Sequence, residues 1–206
     1  SDVYKRQELT YGEALPIISY TVRGLKLSDT VTITKTEFAE KLDVGTYTAT
    51  AKVSGDKTNF YNITVNTVEF KVNKRTATIT IDKVNNIKYG DKEPVLSATV
   101  DGELAGDKLS YKPKTDYTVG AKPGKYYTAS VEFNPEAAEN KNYAITVTDT
   151  TFYVGTKSLT IKLNNTATVA VGKTYKVEAE HLEKIGLVAG DTVTGSVTIT
   201  KDVAGT

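Results

Sequence analysis

The sequence predicts an all-β protein built from tandem immunoglobulin-like β-sandwich modules of about 80 residues. Of its 206 residues, 84 are Thr, Val, Tyr, Ile or Phe, the types that favour strands. Several segments alternate apolar and polar residues with the period of a half-buried strand. The same short motifs also recur in the same order along the chain. A β-grasp-like module is the alternative, but it needs a helix in each module, and the sequence offers no clear candidate.

The repeat is clearest in two motifs. Tyr11-Gly12-Glu13 recurs 78 residues later as Tyr89-Gly90-Asp91, and each copy is followed by a proline. A glycine followed five residues later by an aspartate occurs three times, as Gly24 with Asp29, Gly102 with Asp107, and Gly186 with Asp191. Motif order that is kept at a constant spacing predicts repeated structural units.

This spacing predicts three modules. Residues 1–73 form a first module without a clear opening strand, residues 74–155 a complete second module, and residues 156–206 a partial, divergent third module. Residues 1–7 match no position of the repeat and resemble translated adapter sequence, so we expect them to be artefactual. Because the chain has no methionine and begins at Ser1, we interpret it as an internal fragment of a longer protein.

Alternation places the strands within each module. Residues 46–53 put Tyr47, Ala49, Ala51 and Val53 on one face, and residues 127–133 repeat this pattern in the second module. Residues 76–82 and 159–163 read as opening strands with one polar face. Residues 145–147 and 152–154 are predicted to form a hairpin around Asp149-Thr150, with Asn66-Thr67 in that position in the first module.

Helix is scarce in the sequence. Asn134–Glu139 could form a single capped turn, with Asn134 as the cap and Pro135 in the first helical position. Residues 178–185 are the other helical candidate, and they interrupt the repeat pattern.

The composition excludes several kinds of chemistry. The chain has no cysteine and one histidine, so it cannot build a disulfide framework, a thiolate nucleophile or a multi-histidine metal site. Its net charge of +1 argues against a nucleic-acid partner, and no apolar run is long enough to insert into a membrane. We therefore expect no catalytic residues, no cofactor-binding or metal-binding residues and no cofactor.

A family resemblance rests on an ordered set of motifs in the second module. The set comprises Tyr89-Gly90-Asp91, Pro94, Gly102 to Asp107, Gly124-Lys125-Tyr126, Asn142-Tyr143 to Val147, and Phe152-Tyr153-Val154 with Lys157. It resembles the MBG domains (YGX type), tandem modules of large bacterial cell-surface and secreted proteins. The resemblance extends from Leu9 over nearly the whole chain and implies an extracellular array without catalytic residues. Val171-Gly172-Lys173 departs from the pattern in the third module.

Aromatic residues supply the candidate ligand contacts, namely Tyr111, Tyr117, Tyr126 and Tyr127. Tyr11 and Tyr89 favour a structural role, with the ring over the turn and the hydroxyl bonded to backbone. Alternative sites are a calcium ion among acidic residues, His181, and an intramolecular Lys–Asn isopeptide bond. The acidic residues are Asp91, Glu93, Asp101, Glu103 and Asp107.

We therefore predict a non-enzymatic region of a bacterial surface or secreted protein that serves as stalk or adhesion modules. Its partners would be neighbouring repeats of the same chain and host or matrix glycans or proteins, bound weakly and many times over. The alternative is a carbohydrate-binding accessory region of a secreted polysaccharide-degrading enzyme.

Overall fold

The computed structural model describes residues 7–163 and 182–194, and every structural statement below refers to these residues. They contain fourteen strands, one 3-10 helix (Thr58–Phe60) and no α-helix. The strands in chain order are β1 (Gln7–Thr10), β2 (Thr32–Lys35), β3 (Gly45–Ala49), β4 (Ala51–Ser54), β5 (Val68–Asn73), β6 (Arg75–Ile81), β7 (Ile87–Lys88), β8 (Ala98–Asp101), β9 (Lys112–Thr115), β10 (Lys125–Glu132), β11 (Tyr143–Thr148), β12 (Thr150–Gly155), β13 (Thr160–Leu163) and β14 (Leu182–Ile185).

The predicted all-β fold is confirmed. The strands form sheets of order β1-β5-β3, β7-β12-β10-β9 and β11-β6-β8, with two-stranded sheets β2-β4 and β13-β14. Several small sheets without an α-helix are consistent with sandwich modules, and the helix that a β-grasp module needs is absent from the described residues.

Two compact units are present, and each draws on more than one predicted module. Within the described residues the first comprises 7–82, Leu96–Lys114 and Ala129–Thr150. The second comprises Lys83–Val95, Thr115–Thr128, 151–163 and 182–194. The module boundaries at residues 73 and 155 stay a prediction, and the modules are called the first, second and third repeat below.

Strand β6 lies in the middle of its sheet and carries the clearest alternation. Its apolar residues Ala77, Ile79 and Ile81 are buried, while threonines separate them. It pairs in parallel with β11 and antiparallel with β8. A central strand can bury its apolar face because neighbours satisfy its backbone on both sides.

The predicted hairpin at residues 145–154 is wrong. Strands β11 and β12 are separated only by Asp149, but they belong to different sheets. Strand β11 pairs in parallel with β6, and β12 pairs in parallel with β7. The polar segment at Asp149 is therefore a crossing between sheets and not the turn of a hairpin.

The strand predicted at residues 46–53 has the predicted faces but is divided. Tyr47, Ala49, Ala51 and Val53 are more buried than the threonines and lysine between them. The chain nevertheless forms β3 and β4 in two sheets, with Thr50 between them. In the second repeat the corresponding segment is continuous as β10.

The two helical candidates differ in outcome. Residues 134–142 form turns, and the Asn134 side chain caps them by accepting a hydrogen bond from the Glu136 N–H at 3.0 Å. Of the second candidate, Leu182–Ile185 is strand β14, so the helix is wrong there, and residues 178–181 lie outside the described residues. Strand β13, its antiparallel partner, is exposed along its whole length, because its described sheet has only two strands.

Candidate functional site

The Tyr-Gly turn, residues 10–13 and again 88–91, is closed by the acidic residue of its motif. The Glu13 N–H donates to the Thr10 carbonyl at 2.9 Å, and the Glu13 carboxylate accepts from the Thr10 N–H at 2.7 Å. Asp91 and Lys88 make the same two bonds, at 3.0 and 2.8 Å. Gly12 has a φ of +85°, a conformation that the third position of this type of turn reserves for glycine.

The Gly-x-x-x-x-Asp motif forms a second kind of turn, which we call the acceptor turn. In Gly102–Asp107 the Asp107 N–H donates to the Leu104 carbonyl at 3.0 Å. The Leu104 N–H donates to the Tyr143 hydroxyl at 3.1 Å, and this hydroxyl donates to the Asp107 carboxylate at 2.6 Å. A tyrosine of β11 thus fixes both ends of the turn.

The first repeat contains an equivalent acceptor turn at Gly24–Asp29. The Asp29 N–H donates to the Lys26 carbonyl at 3.0 Å, and the Lys26 N–H donates to the Tyr61 hydroxyl at 3.3 Å. The Tyr61 hydroxyl in turn donates to the Asp29 carboxylate. The same tyrosine, aspartate and backbone amide are therefore used in both repeats.

At the first junction, the Tyr-Gly turn of the first repeat packs on the acceptor turn of the second. The buried ring of Tyr11 meets the buried ring of Tyr143 edge-on, with centroids 5.5 Å apart. Gly12 lies so close to Leu104 that an added Cβ would stand 2.2 Å from Cδ1 of that leucine. A side chain at position 12 would require the Leu104 side chain to move. The glycine of the motif thus serves both the turn and the approach of the two repeats.

Charged groups complete the first junction. Lys41 forms an ion pair with Asp107, and its ammonium lies 4.8 Å from the centre of the Tyr11 ring. Burial alone would raise the pKa of Asp107, but hydrogen bonds from Lys41, Tyr143 and Tyr11 outweigh it and lower that pKa. Burial and the hydrogen bond to Asp107 raise the pKa of Tyr143 to about 12. The hydrogen bond to Asp107 also raises the pKa of Lys41.

A second polar contact joins the same two repeats. The buried Asn142 side chain donates to the Asp43 carboxylate at 2.7 Å and accepts from the Val44 N–H at 2.9 Å. Lys141 also pairs with Asp43 at 2.7 Å. Hydrogen bonds from Lys141 and Asn142 lower the pKa of Asp43. An amide that uses both its donor and its acceptor fixes the register of this contact.

At the second junction, the Tyr-Gly turn of the second repeat meets the acceptor turn of the third in the same way. The Tyr89 hydroxyl donates to the Asp191 carboxylate at 3.0 Å, and this bond raises the pKa of Tyr89. An added Cβ on Gly90 would stand 2.5 Å from Cγ2 of Val188. Val188 occupies the position that Leu104 has in the first junction, two residues after the first glycine of its acceptor turn. An open cleft of about 500 Å³ lies beside this contact.

A comparison with protein families explains the recurrence of these turns. The model of the MBG domain (YGX type) matches residues 3–71 and 77–153, together more than two thirds of the chain. The chain belongs to the MBG domain family. No curated protein and no solved structure matches the chain significantly. The two matched segments confirm the family resemblance and show two tandem MBG domains.

The four candidate ligand tyrosines occupy different environments in the second MBG repeat. Tyr117 is buried, and its hydroxyl donates to the Asp91 carbonyl at 2.8 Å. Tyr127 is half-buried, and its hydroxyl donates to the Lys122 carbonyl at 2.9 Å. Both side chains pack in the interior of the repeat and bond to backbone, which the local sequence pattern does not reveal.

The other two candidates reach the surface. Tyr126 is 72% exposed, and its ring centroid lies 5.2 Å from that of Tyr153 on the neighbouring strand. Tyr111 is half-buried beside an open cavity of about 460 Å³, which Glu103 and Lys108 also line. Ligand contact by any of these tyrosines stays a prediction.

Each MBG repeat has an aromatic cluster in its core. In the first repeat the cluster is Phe38, Tyr47 and Phe70, and in the second it is Tyr117, Tyr127 and Phe152. Ring centroids are 5.3 to 6.3 Å apart in the two clusters. Phe38 and Tyr117 occupy equivalent places in the two clusters. Because one is a phenylalanine and the other a tyrosine, the sequence repeat does not reveal that they correspond.

The remaining candidate sites gain no support from the geometry. Asp107, one of the proposed calcium ligands, is bonded to Lys41 and Tyr143, and the described residues contain no group of three potential metal ligands. No lysine among them is buried, as an isopeptide bond would require. His181 lies outside the described residues. Nor does the described part of the chain include a helix that is long and apolar enough to cross a membrane.

Sequence reasoning missed the junctions. It predicts a backbone partner for the hydroxyl of the motif tyrosine, whereas Tyr89 donates to the carboxylate of Asp191 in the next repeat. The sequence does contain an indication of the junctions, because the Tyr-Gly motif and the Gly-x-x-x-x-Asp motif recur together. Lys41 and Asn142 carry no comparable signal in a single sequence.

Proposed function

We propose that the chain is a stalk segment of a bacterial surface or secreted protein, in which MBG repeats are locked together and carry or contribute to adhesion. The observation that supports this most strongly is the junction, which is built twice from the same motif residues. Tyr11 and Gly12 make the first copy, and Tyr89 and Gly90 make the second. A repeat array transmits position and force only when neighbouring repeats are held at a fixed geometry.

The nature of the contacts supports a fixed geometry. The first junction combines a buried aromatic pair, a close contact between Gly12 and Leu104, and a buried asparagine that both donates and accepts a hydrogen bond. Such contacts depend on relative orientation far more than exposed ion pairs do, because rings and amides have directional partners. A flexible linker would make none of them.

The test is a distance measurement between spin labels on exposed residues of the first and second repeats. The absence of cysteine makes Lys52→Cys with Thr148→Cys a clean labelling pair. We expect a single narrow distance distribution in the otherwise unchanged chain. It should broaden when Asp107→Asn is added and stay narrow when Asp56→Asn, at an exposed turn, is added instead. A broad distribution in the unchanged chain would overturn the proposal.

A second candidate function has one observation in its favour. The exposed Tyr126 ring beside Tyr153 offers an aromatic surface of the kind that stacks on sugars. This supports the carbohydrate-binding accessory region. Binding in a glycan array should then disappear in Tyr126→Ala with Tyr153→Ala and persist in Lys125→Ala. Absence of glycan binding in the unchanged chain would contradict this second candidate function.

A further inference from the structure

Strand β8 lies at one edge of the sheet β11-β6-β8, and no described strand pairs with its outer side. It is antiparallel to β6, and just before it the Asp82 N–H donates to the Ser97 carbonyl at 3.0 Å. Hydrogen-bonded and non-hydrogen-bonded pairs alternate along an antiparallel ladder, so this bond fixes which backbone groups of β8 face β6. The N–H and carbonyl groups of Ala98 and Val100 therefore point away from β6, towards the open edge.

The open cavity beside Tyr111 adjoins this edge. Ala98 and Val100, whose backbone groups point to the open edge, also line the cavity of about 460 Å³. Apolar residues of the following segment complete its wall, namely Leu109, Tyr111 and Pro113. All of these residues belong to the first compact unit. Unpaired backbone groups and an apolar cavity are thus presented side by side by the same two residues.

Two charged residues also line the cavity, and they differ in their partners. The Glu103 carboxylate accepts a hydrogen bond from the Leu109 N–H. Lys108 is exposed and forms no ion pair with any described residue. The Lys108 ammonium is therefore available to a ligand, and its charge favours a carboxylate.

Strand β9 follows β8 in the chain and also lies at an edge of its sheet, but its edge is protected. It contains Pro113 and carries the exposed Lys112 and Lys114. Proline and lysine on an edge strand hinder pairing with another chain. Strand β8 contains neither residue type. Its edge is therefore able to accept a further strand.

We propose that the edge of β8 binds an extended segment of a partner protein, which adds an antiparallel strand to the sheet. Donors and acceptors at alternate residues of β8 match those of an extended polypeptide backbone. Side chains of the added strand opposite Ala98 and Val100 lie on the cavity side of the sheet. One of them is bulky and apolar and fills the cavity, and the other carries a carboxylate that binds Lys108. The site is independent of the proposed stalk function, because it shares no hydrogen bond or ion pair with the junctions.

The test is an array of acetylated hexapeptides with the pattern Thr-x-Thr-x-Thr-Val, in which the two x positions carry every pair of amino acids. The fluorescently labelled chain should bind peptides that combine a bulky apolar residue with Asp or Glu, in either order. Absence of binding by every peptide overturns the proposal.

Backbone methylation of the best peptide tests strand addition directly. The N–H groups of the two x residues face β8, so N-methylation of these residues should weaken binding about tenfold or more. N-methylation of the threonine between them is the matched control, since its N–H points away from β8, and it should leave binding nearly unchanged. Equal effects of the two modifications overturn the proposal.

Variants of the chain test the cavity and the edge. Lys108→Glu should change the preferred charged residue from acidic to basic, whereas Lys112→Glu, at an exposed lysine that does not line the cavity, should not. Ala98→Pro removes an outward N–H without removing a bond to β6, and it should weaken peptide binding about tenfold or more. An unchanged preference in Lys108→Glu contradicts the proposal.

Sedimentation velocity of the chain without peptide distinguishes a partner protein from a second copy. We expect a monomer. A dimer that Ala98→Pro dissociates would show that β8 pairs with β8 of another copy, and it would overturn the proposal of a different partner.

Discussion

At the scale of single residues, the glycine of the Tyr-Gly motif is constrained twice. Gly12 has a positive φ, and a Cβ added to it would clash with the side chain of Leu104. Gly24 also has a positive φ, of +80°, but nothing lies within 4 Å of its Cβ position. Substitution of Gly24 therefore measures the cost of the positive φ alone, whereas substitution of Gly12 measures that cost together with the cost of the contact with Leu104.

Substituting these glycines should therefore give unequal losses of stability. Gly24→Ala should lower the free energy of unfolding by about 1 kcal/mol, the cost of placing alanine at a positive φ. Gly12→Ala should cost a further 1–3 kcal/mol, roughly the effect of overpacking, and Leu104→Ala in the same chain should restore part of it. Urea unfolding measures all three variants. Equal losses for the two glycines would contradict the close contact.

The Asp107 carboxylate binds both Tyr143 and Lys41 at the first junction. We expect its hydrogen bond from the Tyr143 hydroxyl to contribute more to stability than its ion pair with Lys41. Asp107→Asn should lower the free energy of unfolding by about 1–3 kcal/mol, because Tyr143 and Lys41 lose a charged acceptor. Lys41→Met should cost less, about 0–1 kcal/mol, because this lysine is largely exposed and its ion pair is screened by solvent. Asp56→Asn is the control and should change little. A larger loss for Lys41→Met than for Asp107→Asn would refute this order.

At the scale of strands, the sequence predicts where a strand lies and which of its faces is buried better than it predicts which strands pair with each other. The alternation in β6 and β10 is visible locally, because each side chain reports its own burial. The pairing of β11 with β6, more than 60 residues away, leaves no local trace. A polar break such as Asp149 looks the same whether the chain reverses into a hairpin or crosses to another sheet.

Strand β12 contributes the central ring of the second aromatic cluster. Phe152 is fully buried between Tyr117 and Tyr127, so Phe152→Ala should lower the free energy of unfolding by about 3–5 kcal/mol. Tyr126→Ala, on the exposed face of β10, should cost less than about 1 kcal/mol. Denaturant unfolding provides both values. A small loss at Phe152 would show that this cluster does not form part of the core.

At the scale of the whole molecule, the repeat is predictable from the sequence and the way repeats meet is not. Motif spacing is a property of the sequence, so it locates the two MBG domains without any knowledge of how the strands pair. The junctions depend on residues from separate repeats, such as Tyr11 with Tyr143, whose proximity follows only from the fold. The predicted ligand tyrosines fail to form one surface for the same reason, since Tyr117 faces the core.

The free energy of unfolding of the whole chain should fall at both acid and alkaline pH. Asp107 has a lowered pKa in the folded state, so its contribution is present above about pH 4, the unfolded value, and is lost as the pH falls through the folded value. Tyr143 has a pKa raised to about 12, so its contribution is present below about pH 10 and is lost as the pH rises towards 12.

Urea unfolding of variants at a series of pH values tests the acid and the alkaline loss of stability separately. The difference in stability between the unchanged chain and Asp107→Asn should shrink below about pH 4, where the aspartate becomes protonated. The loss of stability between about pH 10 and 12 should be smaller in Tyr143→Phe, which cannot ionise. A pH-independent difference for Asp107→Asn would show that its carboxylate charge does not stabilise the junction.

The Tyr-Gly turn and the acceptor turn are different surfaces, and this asymmetry has a consequence for growth of the array. A contact between unlike surfaces is not self-complementary, so it need not close into a symmetric pair and can be extended by any number of identical units. Cooperativity passes only between nearest neighbours in such a one-dimensional chain, so a repeat with two neighbours is stabilised more than a repeat with one.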